Sequence, residues 1–439
     1  MTKQNKYTPG RIDIISMGCS KNLVDSERLI KRLKTRGYFT THDSDYPEGE
    51  YVVVNTCGFI ADAKEESINL ILELAKRKSE GQIGNLIVMG CLSERYLKDL
   101  PSEIPEVDKW YGKFDWNNFI DSLPDKSIQP APEEWERSLT TPSWSAYLKI
   151  SEGCNRYCAF CAIPIITGKH KSRPIDEILE EVKTLVKDGV KEFNVIAQDL
   201  SSYGTDIQGR HLLAELIDNM AEIPGVEWIR LHYAYPADFP IDILDVMNKH
   251  DNVCKYIDIA LQHIANPVLK NMRRHINKDE TLRLLKTIRE KVPRIKIRTT
   301  LMVGFPGEGE EEYEELLEFV RTQKFDRMGA FAYCEEEDTF AAKNLVDNIP
   351  HDIKQRRLEK LMELQTEIST ELNEERIGEK VKVLIEKHEG DNAIGRSQWD
   401  SPEVDPEVIV LNCHAKPGTF IEAEVVEALP FELIAKTFN

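Results

Sequence analysis

Ser151-Glu152-Gly153-Cys154-Asn155-Arg156-Tyr157-Cys158-Ala159-Phe160-Cys161-Ala162-Ile163-Pro164 carries three thiols at the spacing Cys-x3-Cys-x2-Cys. Thiolates in a tight loop can converge on one metal centre, and they are the usual protein ligands of iron-sulfur clusters. Three ligands are one short of the four irons of a cubane. One iron then stays open to an outside ligand, just as a catalytic zinc keeps an open position where a structural zinc is closed. A zinc knuckle is the rival reading and needs a fourth Cys or His close by. His170 is the nearest candidate, nine residues beyond Cys161 and past Pro164, a poor position for a compact knuckle. Chance among nine cysteines is the third alternative.

With the aromatic Phe160 just before the last cysteine, this spacing resembles the signature of the radical S-adenosylmethionine enzymes. The resemblance implies that the open iron binds the amino and carboxylate groups of S-adenosylmethionine, and that an electron cleaves it to a 5'-deoxyadenosyl radical. Cys154, Cys158 and Cys161 would then be catalytic as well as metal-ligating. In such enzymes the cofactor does the hard chemistry, and the protein supplies orientation, a dry pocket and a tuned potential.

At 439 residues the chain is long enough for two or three domains. No apolar run approaches the 18 residues of a membrane span. Met1-Thr2-Lys3-Gln4-Asn5-Lys6-Tyr7 lacks the apolar core of a signal peptide. A cytoplasmic location is therefore expected, where cysteine clusters more often hold metal or do catalysis than form disulfides. The net charge of −19 disfavours a broad nucleic-acid surface, because that binding is driven by Lys and Arg neutralising phosphates. It suits a basic macromolecular partner, or it serves only solubility.

Residues 1–130 repeat one pattern three times: an apolar strand, a cysteine-bearing turn, a helix. Arg11–Ser16 leads to Cys19 and a helix from Leu23 to about Arg36. Tyr51–Asn55 leads to Cys57 and a helix from Ala61 to about Lys78. Leu86–Met89 leads to Cys91 and a helix from Ser93 to about Leu100. Alternating strands and helices predict a parallel α/β domain. Ligands of such sheets collect at the carboxyl ends of the strands, where all three cysteines fall. We therefore read Cys19, Cys57 and Cys91 as a second open cluster, against the alternative of three buried small hydrophobes.

Two open clusters in one chain resemble the methylthiotransferases, radical enzymes that replace C–H by C–S–CH3. Gly18-Cys19-Ser20-Lys21-Asn22-Leu23-Val24-Asp25-Ser26-Glu27 is similar to the branch acting on ribosomal protein uS12. The branch acting on tRNA usually carries Gln-Met-Asn after this cysteine. The resemblance implies two 4Fe-4S clusters, S-adenosylmethionine, an electron donor such as flavodoxin or ferredoxin, a sulfur donor, and the β-carbon of an aspartate in uS12 as target. A tRNA adenosine methylthiotransferase is the alternative within the family. A protein with structural zinc at both triplets is the alternative outside it.

Residues 131–145 form a linker within a longer stretch broken by prolines, in which Trp110, Trp116, Trp135 and Trp144 are expected to pack the first domain on the second. Residues 146–350 alternate again, with strands expected at 146–150, 192–197, 228–232, 256–260, 296–302 and 327–332. Six units suit an open barrel, short of the eight of the closed form, and the resemblance implies the partial (β/α)6 radical barrel. Gln198 and Asp199, Gln262, and Gly304 and Gly307 follow three of these strands and are the candidate S-adenosylmethionine contacts. The glycines would let backbone approach the ligand closely. The basic clusters Arg273-Arg274-His275 and Lys169-His170-Lys171 with Arg173 are solvated surface by default. The alternative is that they neutralise an anion. Cys254, Cys334 and Cys413 are expected to be packing residues.

Residues 351–376 predict a linker helix with an apolar stripe of Leu358, Leu361, Leu364, Ile368 and Leu372. Residues 377–439 predict a small antiparallel β-barrel, and Gly395-Arg396-Ser397-Gln398-Trp399-Asp400-Ser401-Pro402-Glu403 resembles the TRAM module. RNA binding needs a basic surface, yet this stretch holds six basic against twelve acidic residues. No direct RNA grip is expected.

Overall fold

The computed structural model describes residues 6–127 and 129–438. Met1–Asn5, part of the stretch read for a signal peptide, lies outside the described residues. The chain separates into two compact units. One comprises 1–141, 147–155 and 162–181, and the other 142–146, 156–161 and 182–439. The division crosses the expected domain boundaries, since it runs through the Cys154–Cys161 loop.

In the first unit, β1 (Thr8–Ser16), β2 (Phe39–His42), β3 (Gly49–Thr56), β4 (Asn85–Gly90) and β5 (Lys109–Trp110) form a sheet in the order β2-β1-β3-β4-β5. Every pairing is parallel. The run Val52-Val53-Val54 shows why both faces are covered. Val52 and Val54 pack with Leu86, Val88 and Ile71 of the helix Ala61–Ser79. Val53 turns the other way, to Ile12, Ile14, Ile87 and Leu29 of the helix Ser20–Thr35. A strand buried on both faces reads as a continuous apolar run. The short edge strands β2 and β5 were not expected, and the third helix is shorter than predicted, Cys91–Tyr96.

The second sheet orders six strands as β13-β12-β11-β10-β9-β6. They are β6 (Ser145–Lys149), β9 (Glu192–Ile196), β10 (Trp228–Ala234), β11 (Val253–Gln262), β12 (Lys296–Val303) and β13 (Arg327–Ala332), with β7 (Ser151–Glu152) and β8 (Lys171–Ser172) as a separate two-residue ladder. The pairings from β9 to β13 are parallel. Six strands of open sheet are the architecture expected of the barrel.

The helix His351–Glu374 lies along β13 and the helix Glu310–Gln323. Its buried face is not the leucine stripe alone. Lys354, Arg357, Gln365, Ser369 and Asn373 are buried beside Leu361 and Ile368, because the helix bonds to polar loops: Gln365 donates to the Phe325 carbonyl at 2.9 Å.

The last strands, β14 (Lys380–Glu389), β15 (Asn392–Ser397), β16 (Glu407–Leu411), β17 (Phe420–Ala428) and β18 (Glu432–Thr437), close a barrel in the order β14-β15-β16-β18-β17. The expected antiparallel pattern holds except where β16 meets β18 in parallel, a strand the sequence reading did not include. Val381, Val383 and Ile385 point inward, and Leu384 points outward onto Trp228 and Tyr256.

The barrel is fastened to the six-stranded sheet by buried charge. Glu192, fully buried at the start of β9, accepts from Arg396 Nη1 and Nη2 at 3.0 and 2.7 Å, from Arg230 at 3.2 Å and from the Ser145 hydroxyl at 2.7 Å. Burial pushes the Glu192 carboxyl up, but Arg396, Arg230 and Ser145 outweigh it and hold it well below the usual carboxylate range. Arg327 pairs with Asp400 at 2.8 Å, and Tyr256 donates to Asp405 at 2.7 Å.

Candidate functional site

Cys19, Cys57 and Cys91 stand just past the ends of β1, β3 and β4, as the strand pattern predicts, and all three are free thiols. Close packing of their loops requires small neighbours. A Cβ on Gly18, at φ +85°, would lie 2.7 Å from the Cys57 sulfur, and one on Gly58 would lie 2.6 Å from the Leu92 backbone. Ser67, from the following helix, holds Cys57 by accepting from its N–H at 3.2 Å and donating to its carbonyl at 3.0 Å.

The buried Asn22 side chain joins the three loops. Its amide nitrogen donates to the Met17 carbonyl at 3.1 Å and the Thr56 carbonyl at 2.9 Å. Its oxygen meets Cys91 Sγ at 3.5 Å and accepts from Lys113 Nζ at 3.2 Å. Lys113, itself buried, also donates to Asp25 at 3.1 Å, and Asp25 bonds Lys149. Lys149 in turn donates to Glu152 at 2.8 Å, two residues before Cys154.

Burial pushes the Cys91 thiol up to about 11 and raises Cys57, while Lys113 pulls both back. At Cys19 the surrounding atoms also raise the thiol, but Lys21, Lys113 and the Asn22 and Lys21 backbone N–H groups leave it below its ordinary value. Among the described residues, the three sulfurs are not gathered within 4.8 Å of one another. One tetrahedral zinc, with Zn–S of about 2.3 Å, would draw them to about 3.8 Å. Three thiols at three neighbouring strand ends are a donor set suited to an iron-sulfur cluster.

The stretch 18–27 thus works through its buried side. Besides Asn22 and Asp25, Glu27 pairs with Arg137 at 2.6 Å, and Arg137 reaches Glu181 at 2.8 Å. All three are buried.

The loop of Cys154, Cys158 and Cys161 starts from a constrained backbone. A Cβ on Gly153, at φ +79°, would meet the Lys169 carbonyl at 2.2 Å, and the Cys154 N–H donates to the Gly168 carbonyl at 3.2 Å. Arg274 Nη1 lies 3.3 Å from Cys158 Sγ, and the Tyr235 hydroxyl lies 3.8 Å from it. A guanidinium on a sulfur suits a thiolate ligand, whose negative charge it offsets. Arg274 is buried, so its default reading as solvated surface is corrected. The other basic cluster divides: Lys169 and Lys171 are exposed, as the default reading has it, while Arg173 pairs with Glu177 and Glu181, and buried His170 bonds Ser172 at 3.0 Å.

Of the S-adenosylmethionine candidates, Gln262 has the features of a ligand residue. It ends β11 at φ +70°, and its buried Oε1 has no hydrogen-bond partner among the described residues. Backbone in this sparsely populated region concentrates at functional sites. Asp199 is buried and bonds Arg156 at 2.7 Å, thereby anchoring the cysteine loop, while Gln198 precedes it, two residues past the end of β9. The glycines have a packing reason: a Cβ on Gly304 would meet Lys354 at 2.3 Å, and one on Gly307 would meet Asn271 at 2.4 Å. The same two strand-end motifs, Leu261-Gln262-His263 and residues 303–308, also bring Glu308 to 3.2 Å from His263 and 2.7 Å from buried Arg357, which sequence reasoning missed. It also missed Lys113, which belongs to no motif.

The other cysteines divide. Cys254 and Cys413 are buried as expected, but Cys334 is exposed and is not a packing residue. Trp110 and Trp116 pack against cores of the first unit and Trp144 against one in the second.

Comparison with known proteins agrees with this geometry. Residues 11–112 match a model described as uncharacterized protein family UPF0004, residues 148–320 the radical SAM superfamily and residues 377–437 the TRAM domain. Among solved structures, radical S-adenosylmethionine methyltransferase TsrM from Kitasatospora setae aligns at TM-score 0.55 and 13% identity, over 74% of this chain and 75% of that one, a likeness of fold. Curated relatives named ribosomal protein uS12 methylthiotransferase RimO are far more similar. The one from Phocaeicola vulgatus is 58% identical over 97% of this chain and 98% of its own length. That from Bacteroides thetaiotaomicron is 58% identical over 98% of each, and that from Christiangramia forsetii 46% identical over 98% and 94%. By identity at this level along nearly its whole length, the chain belongs to the ribosomal protein uS12 methylthiotransferase family.

Proposed function

We propose that this chain is a radical S-adenosylmethionine methylthiotransferase, replacing a hydrogen on the β-carbon of an aspartate in ribosomal protein uS12 with a methylthio group. The observation that carries the reading is that one asparagine, Asn22, joins the loops bearing Cys19, Cys57 and Cys91, in a chain that has a second three-cysteine loop. Cys154, Cys158 and Cys161 would hold the 4Fe-4S cluster that supplies the radical from S-adenosylmethionine. Cys19, Cys57 and Cys91 would hold the one that presents sulfur. An unactivated C–H bond offers no acid or base a useful handle, which is why radical chemistry is needed.

The protein's own part is holding and orienting. Arg274 offsets charge at Cys158, Asp199 fixes the loop through Arg156, and Gln262 offers an acceptor to the cofactor beside Gln198, Gly304 and Gly307. We assign 1–130 to the sulfur-presenting domain, 131–145 to a linker, 146–350 to the radical domain, 351–376 to a connecting helix and 377–439 to the TRAM barrel. The single arginine of that barrel, Arg396, is buried against Glu192, and the acidic remainder suits a basic ribosomal protein better than RNA. A flavodoxin or ferredoxin as electron donor, a separate sulfur donor and a cytoplasmic location complete the proposal. No helix among the described residues is long and apolar enough to cross a membrane.

Mass spectrometry of uS12 from a strain lacking this gene tests the proposal. Methylthio-aspartate should disappear and return with the intact gene. Unchanged uS12, with loss of methylthio-adenosine from tRNA, would favour the tRNA reading.

A further inference from the structure

Lys113 is a buried ammonium that no cysteine motif predicts. Its side chain is 3% exposed, and it donates to the Asn22 oxygen that also meets Cys91 Sγ. A buried charge is retained only when it is paired and hydrogen-bonded. Here Asp25 supplies the pairing but is shared with Lys149, which also binds Glu152. Lys113 is the cation of this network joined through the Asn22 oxygen to the Cys91 sulfur. When Cys91 becomes a thiolate it can no longer donate to the Asn22 oxygen, and Lys113 remains there to hold it.

Electron counting gives this cation a task. A carbon radical brings one electron to a new C–S bond, and a methylthiolate sulfur brings a lone pair of two. The bond keeps two electrons, and the third passes to the iron-sulfur centre from which the sulfur departs. A cluster held by Cys19, Cys57 and Cys91 would supply the acceptor for that electron, and its negative charge would then grow by one. A fixed positive charge nearby favours the more negative state.

We propose that Lys113, oriented by Asn22 and Asp25, is a positioning residue whose fixed charge raises the reduction potential of the centre at Cys19, Cys57 and Cys91. This rests on the assignment of a cluster to those cysteines, and the test separates the two claims. The full chain carrying Cys154→Ala, Cys158→Ala and Cys161→Ala is reconstituted with iron and sulfide, and its remaining centre is titrated by electron paramagnetic resonance. In that background Lys113→Met lowers the equilibrium constant for reduction at least tenfold, a shift of about 59 mV for one electron, at unchanged iron content. Lys113→Arg stays within a few-fold of its parent.

A parent that binds no cluster overturns the assignment itself. A Lys113→Met protein with full iron and an unchanged midpoint overturns only the role of Lys113. If Lys113→Met holds no iron, Lys113→Gln, which keeps a donor toward Asn22 without the charge, is titrated for the same shift. Loss of iron from Met and Gln but not from Arg supports the charge as what holds the centre. Loss from all three variants reduces Lys113 to packing and overturns the proposal.

Discussion

Changing Glu192 to Gln keeps the shape of the side chain and removes the one carboxylate that Arg396 and Arg230 share. All three side chains are at most 2% exposed, so solvent cannot replace the lost charge. Arg396 retains Glu386 at 2.8 Å, whereas Arg230 is left with the Gln398 carbonyl at 2.5 Å and the Ser397 carbonyl at 3.4 Å. Removing one partner of a buried pair costs about 3–5 kcal/mol, and the surviving Glu386 contact puts this case near about 3 kcal/mol. The assay is urea unfolding followed by tryptophan fluorescence. Trp228 reports directly, since its ring meets Phe420 of the last barrel edge-on at 4.7 Å. The substitution should advance the transition reported by that tryptophan. The pH dependence has a definite sign. Because the folded protein holds Glu192 below its unfolded value of about 4.3, the network's contribution is complete above that pH and is lost as the pH falls toward the folded value. The unsubstituted protein should lose this transition's stability in acid more steeply than the Gln variant. A change under about 1 kcal/mol, the range of exposed pairs, together with parallel acid profiles would refute the reasoning.

Cys57→Ala should retain S-adenosylmethionine cleavage, abolish methylthio transfer and lose about half the iron of a protein with two cubanes; loss of both activities from a folded protein would show the clusters wrongly assigned. Gly153→Ala forces a Cβ to 2.2 Å from the Lys169 carbonyl at a positive φ, a strain of about 1–3 kcal/mol. It should selectively deplete the cluster at Cys154, Cys158 and Cys161, measured as lost cofactor cleavage with the other cluster's spectrum intact. Arg274→Met removes the guanidinium from Cys158 and should move that cluster's midpoint to a more negative potential, whereas an unchanged midpoint would leave Arg274 a packing role. Residues 377–439 should give the chain no salt-dependent grip on a ribosomal RNA fragment, since their one arginine, Arg396, is buried; binding that vanishes when those residues are removed would overturn this.

The elements legible in the sequence were those whose pattern is local. Val52-Val53-Val54 announces a strand covered on both faces, and cysteines after three such strands locate one end of the sheet. β2 and β5 escaped because a short edge strand has little periodicity to read: Lys109–Trp110 is two residues long. The polar face of the helix His351–Glu374 escaped for a different reason. Arg357 and Gln365 are buried only because Glu308 and the Phe325 carbonyl, 49 and 40 positions away, stand opposite them. The same holds at the candidate site. Asn22 lies three residues from Cys19 and inside a stretch already singled out, but Lys113 sits 91 positions from Asn22 in a proline-broken segment. Charge pairs between remote segments leave no spacing signal. Arg274 could be noticed as basic, yet whether it faced water or sulfur depended on the fold.

The Asn22 junction also bears on the order in which the protein is made. Met17, Thr56, Cys91 and Lys113, the four groups its side chain meets, all precede residue 114. Domains generally fold as units, amino-terminal first, during synthesis. A nascent chain that has cleared the ribosomal exit tunnel to this point already owns the three sulfurs and the asparagine that joins their loops. Lys149 and Glu152 emerge later, so the charge network closes on a pocket whose geometry is already in place.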